Sequence, residues 1–122
     1  MELDKVYEIS MLIDFYGKLL KEKHFTIVQL YYCEDFSLRE IAEQFDITRQ
    51  GVHDILKRSV DKLRKFESQL NLLERFRQNR DFARQIRNHT EKLKDAVENK
   101  NIDIIKSEMD ILNDLSEKLM EE

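Results

Sequence analysis

Apolar residues return at steps of three and four along nearly the whole chain, the spacing that gathers side chains on one face of an α-helix. Leu3, Val6, Tyr7, Ile9, Ile13, Tyr16, Leu19 and Leu20 predict an amphipathic helix over 3–21, with Gly17 as a point of close helix crossing. Lys21 to His24 reads as a polar connector. Thr26-Ile27-Val28-Gln29 spells a capping box, and the helix it opens, about 27–34, is predicted to bury Ile27, Leu30 and Tyr31, with Tyr32 or Cys33 beside them. Ser37-Leu38-Arg39-Glu40 is a second box, opening a short helix whose stripe is Leu38, Ile41, Ala42 and Phe45. Asp46-Ile47 makes a turn, because Asp tolerates a left-handed backbone, and Thr48 caps the next helix. That helix buries Val52, Ile55, Leu56, Val60 and Leu63.

Downstream the punctuation disappears. Phe66, Leu70, Leu73 and Phe76 continue the stripe, then Ala83, Ile86, Leu93 and Val97, with polar Arg77 to Arg80 between. Either one long helix shifts its seam or two helices meet near 66–72 or 78–81. Asn99-Lys100-Asn101 is the last break, and Asn101 caps a final helix with Ile105, Met109, Leu112, Leu115 and Leu119 at coiled-coil-like spacing. These last helices fold back as an antiparallel hairpin or join a partner's helix.

Composition narrows the class. Among 122 residues there is no proline and there are two glycines, Gly17 and Gly51, while 38% are charged. Soluble chains average about 5% Pro, 7% Gly and 25% charge, and a sheet-rich domain needs turn residues at each reversal. The expectation is an all-α bundle, organised as an N-terminal helix plus helix-turn-helix domain over 1–66 and a C-terminal helical extension over 67–122. The longest apolar run, Leu30 to Cys33, is far too short to insert in a membrane. The start, Met1-Glu2-Leu3-Asp4-Lys5, lacks a secretory pattern, and one cysteine makes no internal disulfide, so a cytoplasmic location is expected. Cys33, His24, His53 and His89 offer no close-spaced metal ligands. No phosphate loop, nucleophile elbow or His-x-x-x-His pair is present, so no enzyme activity, cofactor or small-molecule substrate is expected.

The net charge of −4 hides a pattern. Residues 49–90 carry eleven Lys/Arg against five Asp/Glu, whereas 1–48 and 91–122 each carry five against ten. An acidic chain is a poor phosphate binder on average, and the basic middle localises any nucleic-acid contact. Residues 38–56 have a helix-turn-helix layout: Ala42 where the second helix comes close, Ile47 as a plug, Val52 and Ile55 packed inward. The outward residues of the second helix, Arg49, Gln50, His53 and Asp54, are then placed to enter a major groove behind the Thr48 cap, followed by Lys57 and Arg58. Arg grips guanine O6 and N7, Gln grips adenine N6 and N7, and Lys57 and Arg58 reach phosphates. Asp54 is awkward beside phosphates, although it can accept from cytosine N4. The free N–H groups after Thr48 add an anion site. Arg75, Arg77, Arg80, Arg84 and Arg87 form a second basic series, read either as a surface for RNA or an acidic partner or, by preference, as a solvated helix face. Tyr31, Tyr32 and Phe36 are read as core rather than as a base-stacking platform.

Asp14-Phe15-Tyr16 with Leu19-Leu20, the run Leu30 to Leu38, Glu40-Ile41-Ala42, and Thr48-Arg49-Gln50-Gly51-Val52 with Asp54 resemble the YlxM-like family, uncharacterised protein family 0122. The resemblance covers about 6–76, and 26–63 also resembles region 4 of sigma factors, which shares a tetrahelical helix-turn-helix. It implies an all-α homodimer near the signal recognition particle pathway, associated with that particle's RNA or GTPase. The family usually has Ala where Gly51 stands and Tyr where His53 stands. A transcription regulator reading promoter DNA through the helix at Arg49, and a dimeric scaffold that binds no nucleic acid, are the other readings.

Overall fold

A computed structural model describes residues 2–121, with side chains from residue 4 onward. The described residues form six α-helices and no strand: α1 (Glu2–Tyr16), α2 (Glu22–Tyr32), α3 (Leu38–Phe45), α4 (Arg49–Leu70), α5 (Leu72–Glu98) and α6 (Ile102–Met120), with a 3-10 turn at Gly17–Leu19. The all-α class holds. Two compact units divide the chain between Leu73 and Glu74.

In the first unit α4 is the hub, packed against α1, α2 and α3. Ile9, Leu12, Ile13 and Tyr16 from α1, Ile27, Val28 and Leu30 from α2, and Val52, Leu56 and Leu63 from α4 close the core with Ile41. Val6, Tyr7 and Leu19, placed on the apolar face by spacing, stay exposed, and the Leu3 side chain lies outside the described residues. The helix predicted over 3–21 ends at Tyr16, where the chain tightens into the 3-10 turn. Gly17 explains the closeness there: a Cβ on it would stand 2.6 Å from Cε1 of Phe25.

Two expectations for α2 are corrected. Lys21 to His24 is not simply a connector, since α2 begins at Glu22. Thr26 therefore sits inside the helix and donates its hydroxyl hydrogen bond to the Glu22 carbonyl at 3.0 Å instead of capping. Tyr31 is 36% exposed, on the rim of the core rather than in it, while Tyr32 and Phe36 are half-buried against the core.

The next stretch follows its local code. Ser37 accepts from the Glu40 N–H, and Glu40 Oε1 accepts from the Ser37 N–H, each at 3.1 Å. Asp46 takes the left-handed conformation (φ 54°, ψ 48°) and closes α3. Ala42 is buried and Ile47 is half-buried against the core, as small residue and plug require.

Asn71 decides the break left open between α4 and α5. It is left-handed at φ 55°, a conformation Asn tolerates, and its N–H returns to the Glu67 carbonyl at 2.8 Å. The start of α5 is capped from a distance. Tyr16 Oη accepts from the Leu72 N–H at 3.0 Å and donates to Glu67 Oε1, which accepts from the Leu73 N–H at 3.0 Å. Burial, then the Glu67 hydrogen bond, pushes the Tyr16 hydroxyl pKa above its ordinary value, which keeps it a donor.

The second unit is an antiparallel hairpin of α5 and α6. Lys100 takes φ 54°, and Asn101 Oδ1 accepts from the Ile104 N–H at 3.2 Å, so the predicted cap is present. His89 Nδ1 meets Glu108 Oε2 across the hairpin, a pair largely withdrawn from solvent. Among its described residues only Ala96, Glu108 and Leu115 are buried. Met109, on the predicted seam, is 56% exposed.

Candidate nucleic-acid interface

The candidate interface begins at the α3–α4 turn. Thr48 adopts extended backbone, and its Oγ1 accepts from the Gly51 N–H at 2.9 Å. Gly51 fits that cap closely, since a Cβ there would lie 3.1 Å from Thr48 Oγ1. The cap leaves the N–H groups of Arg49 and Gln50 at the head of a 22-residue helix, where amides point out of the helix end. Val52 and Leu56 are buried and Ile55 is half-buried, which fixes the rotation of α4.

That rotation turns Thr48, Arg49, Gln50, His53, Asp54, Lys57 and Arg58 to solvent. Asp54 is the organiser of the group: its Oδ1 accepts from Gln50 Nε2 at 3.1 Å and lies 3.8 Å from His53 Nδ1. The carboxylate that looked awkward beside phosphates thus holds the Gln50 amide in one orientation. Among the described residues Arg49, Lys57 and Arg58 form no ion pair, so their charge faces outward uncompensated.

The cationic surface of α4 extends beyond the residues that spacing singled out. His24, half-buried on α2, has its pKa lowered by burial first and then by Lys21, Lys62, Arg58 and Lys23. Lys62 stands one turn beyond Arg58 on α4, so the two belong to one positive region. Two clefts border α4. One, about 470 Å³, lies between Arg39 and Arg49 at the helix-turn-helix turn. The other, about 320 Å³, includes Lys5, Tyr31, His53, Lys57 and Arg64. Sequence reasoning missed Lys62 and Arg64; stepping along α4 by threes and fours from His53 through Lys57 leads to Arg64.

The second basic series lies in the other unit, and its five arginines are all exposed. Arg84 pairs with Asp81 at 3.3 Å, Arg87 with Glu91 at 3.7 Å, and Arg80 lies over the Phe76 ring at 5.7 Å. Much of that charge is answered on its own helix face. Among the described residues no cluster of three His, Cys, Asp or Glu side chains is placed to hold a metal, and no helix is long and apolar enough to cross a membrane.

A capped three-residue turn, a small residue at the crossing and an outward first turn on the second helix define a helix-turn-helix protein. Residues 3–105 match the family described as "Putative helix-turn-helix protein, YlxM / p13 like", and the chain belongs to that family, UPF0122. A UPF0122 protein of Acetivibrio thermocellus is 46% identical over 84 residues, covering 69% of this chain and 72% of the relative. One from Clostridium acetobutylicum is 39% identical over 103 residues, covering 84% and 88%. One from Listeria monocytogenes is 36% identical over 108 residues, covering 82% and 98%.

Proposed function

We propose that the protein is a non-enzymatic regulator that binds nucleic acid through the first three turns of α4. The observation that carries this reading is the outward ridge from Thr48 to Arg58, held by buried Val52 and Leu56 and carrying three cations that form no ion pair among the described residues. Arg49 and Gln50 supply the base-edge contacts, while Lys57 and Arg58 supply sequence-independent phosphate contacts. The family resemblance makes the signal recognition particle RNA and its GTPase the first partners to test; promoter DNA is the second ligand. A second copy of the chain is the expected partner of the hairpin, because Val97, Ile102, Ile104 and Met109 expose apolar surface that two helices leave uncovered.

The experiment is an anisotropy titration of the particle RNA and of duplex DNA at several salt concentrations. Affinity should fall steeply with salt, and Lys57→Glu with Arg58→Glu should weaken binding regardless of sequence and reduce the log–log salt slope by about 2. Arg49→Ala with Gln50→Ala should instead erase preference among sequences. Unchanged affinity in the charge-reversed protein removes α4 from the contact, and a salt-insensitive complex with the GTPase alone would favour the adaptor reading.

A further inference from the structure

Beside the reading turn, α4 walls a groove of about 320 Å³ shared with α1 and α2. We propose that this groove binds a single-stranded nucleotide that continues from the nucleic acid held by the first turns of α4. The proposal rests on the reading above for its orientation but concerns the groove adjoining that face and a different strand state.

The lining is what a base and its phosphates need. Leu56 and Val60 of α4 and Ile9 of α1, all buried, make an apolar floor. Tyr31 and Tyr32 stand over it edge to face, with centroids 4.9 Å apart and planes at 86°. Tyr31 exposes 36% of its surface, so a ring is offered to solvent where a base can stack. Lys5, Lys57 and Arg64 stand around the groove against one carboxylate, Asp61, giving it a cationic rim. Arg64 lines the groove beside Tyr32, whose hydroxyl pKa is raised by burial first and then by Tyr31, with Arg64 opposing.

Continuity selects the occupant. His53 and Lys57 belong both to the reading face and to the groove, so a strand leaving the first turns of α4 enters the groove along the same helix. An acidic peptide would satisfy the cations but leave the aromatic edge unused. A planar base uses the tyrosines, the phosphate uses Lys57 and Arg64, and Asp61 can accept from a base amino group.

The test uses the full chain and five labelled probes: a blunt duplex, the same duplex with a short oligouridine overhang, oligouridine alone, oligothymidine as the DNA arm, and polyglutamate as the acidic-polypeptide arm. The overhang should tighten binding about tenfold, the scale of one stacked base. Tyr31→Ala should remove that gain and leave blunt-duplex affinity unchanged, while Tyr31→Phe, which keeps the ring, should retain it; circular dichroism confirms the fold of each variant. Equal binding of blunt and overhanging duplexes overturns the groove and leaves the α4 reading standing. Tyr31-dependent binding of oligouridine without any duplex binding supports the groove and removes that reading. Binding of polyglutamate but no oligonucleotide overturns the proposal in favour of a protein site.

Discussion

The unit ending at Leu73 and the unit beginning at Glu74 are both built from amphipathic helices, yet they dispose of their apolar faces differently. In the first, α4 is surrounded, and side chains such as Ile27, Ile41, Val52 and Leu63 are wholly withdrawn from solvent. Within the hairpin's own unit, α5 and α6 each have a single helical neighbour. Ala96 and Leu115 are buried, a His–Glu pair occupies one crossing point, and Ile102 and Met109 remain more than half exposed. Three neighbours let a helix bury a stripe wider than one partner can cover. The Thr48–Arg58 ridge is therefore held by a core closed within its own unit, while the hairpin leaves part of its apolar stripe exposed.

The largest test of that contrast is a pair of matched truncations. Leu63→Ala should cost about 3 kcal/mol, because the surrounding helices cannot close over the cavity. Leu115→Ala should cost less than about 2 kcal/mol, since two helices with open flanks collapse more easily. Hydrogen exchange read separately over α4 and α6 distinguishes them. Equal costs would mean the hairpin has a core as well braced as the first unit, as a tightly held second copy would provide. Light scattering at micromolar concentration then reports whether that copy is present.

Next in size is Tyr16→Phe. It deletes the acceptor for the Leu72 N–H and the donor to Glu67, two part-buried hydrogen bonds, and should destabilise the first unit by about 1–3 kcal/mol. The loss should appear first as faster exchange of the Leu72 and Leu73 amides. Unchanged exchange there would show that the α5 start holds without Tyr16.

This junction also marks where the sequence stopped being readable. Ser37, Asp46, Thr48 and Asn101 act on neighbours within a few residues, so their caps and turns are spelled locally and were predicted from spacing. The helix-turn-helix and the exposure of Arg49 to Arg58 follow from those caps. The α4–α5 break was not legible, because its cap reaches from Tyr16, 56 residues before Leu72. Thr26 carried a legitimate capping spelling that lost to tertiary packing, as Phe25 seats against Gly17 and the helix starts earlier. Tyr31 fits an apolar period on α2, but the period cannot tell a core position from the rim of a groove.

Ser59→Ala runs the other way. Ser59 is wholly buried on α4, and its hydroxyl has no hydrogen-bond partner among the described residues. Removing a buried, unsatisfied hydroxyl should raise the stability of the first unit by about 1 kcal/mol. A loss of stability would reveal a partner, such as an ordered water, and would make this part of the core less dry than its lining indicates.

The smallest expected effect concerns acid. His24 is half-buried, and its pKa lies below the ordinary 6.5 because of burial first, then Lys21, Lys62, Arg58 and Lys23. The unfolded chain therefore takes up a proton more readily than the folded one, and stability rises with pH where the two differ. The first unit should be most stable above pH 6.5, lose stability gradually as pH falls from that value toward the lower folded pKa, and then level off. His24→Gln should flatten the decline, and a chemical-denaturation series from neutral to mildly acid pH would measure it. Salt separates the causes: it screens the four cations but leaves burial intact, so the decline should shrink at high ionic strength without vanishing. If salt abolished it altogether, His24 would be governed by the positive surface of α4 alone, and the packing of α2 against α4 would be looser than the first unit's core implies.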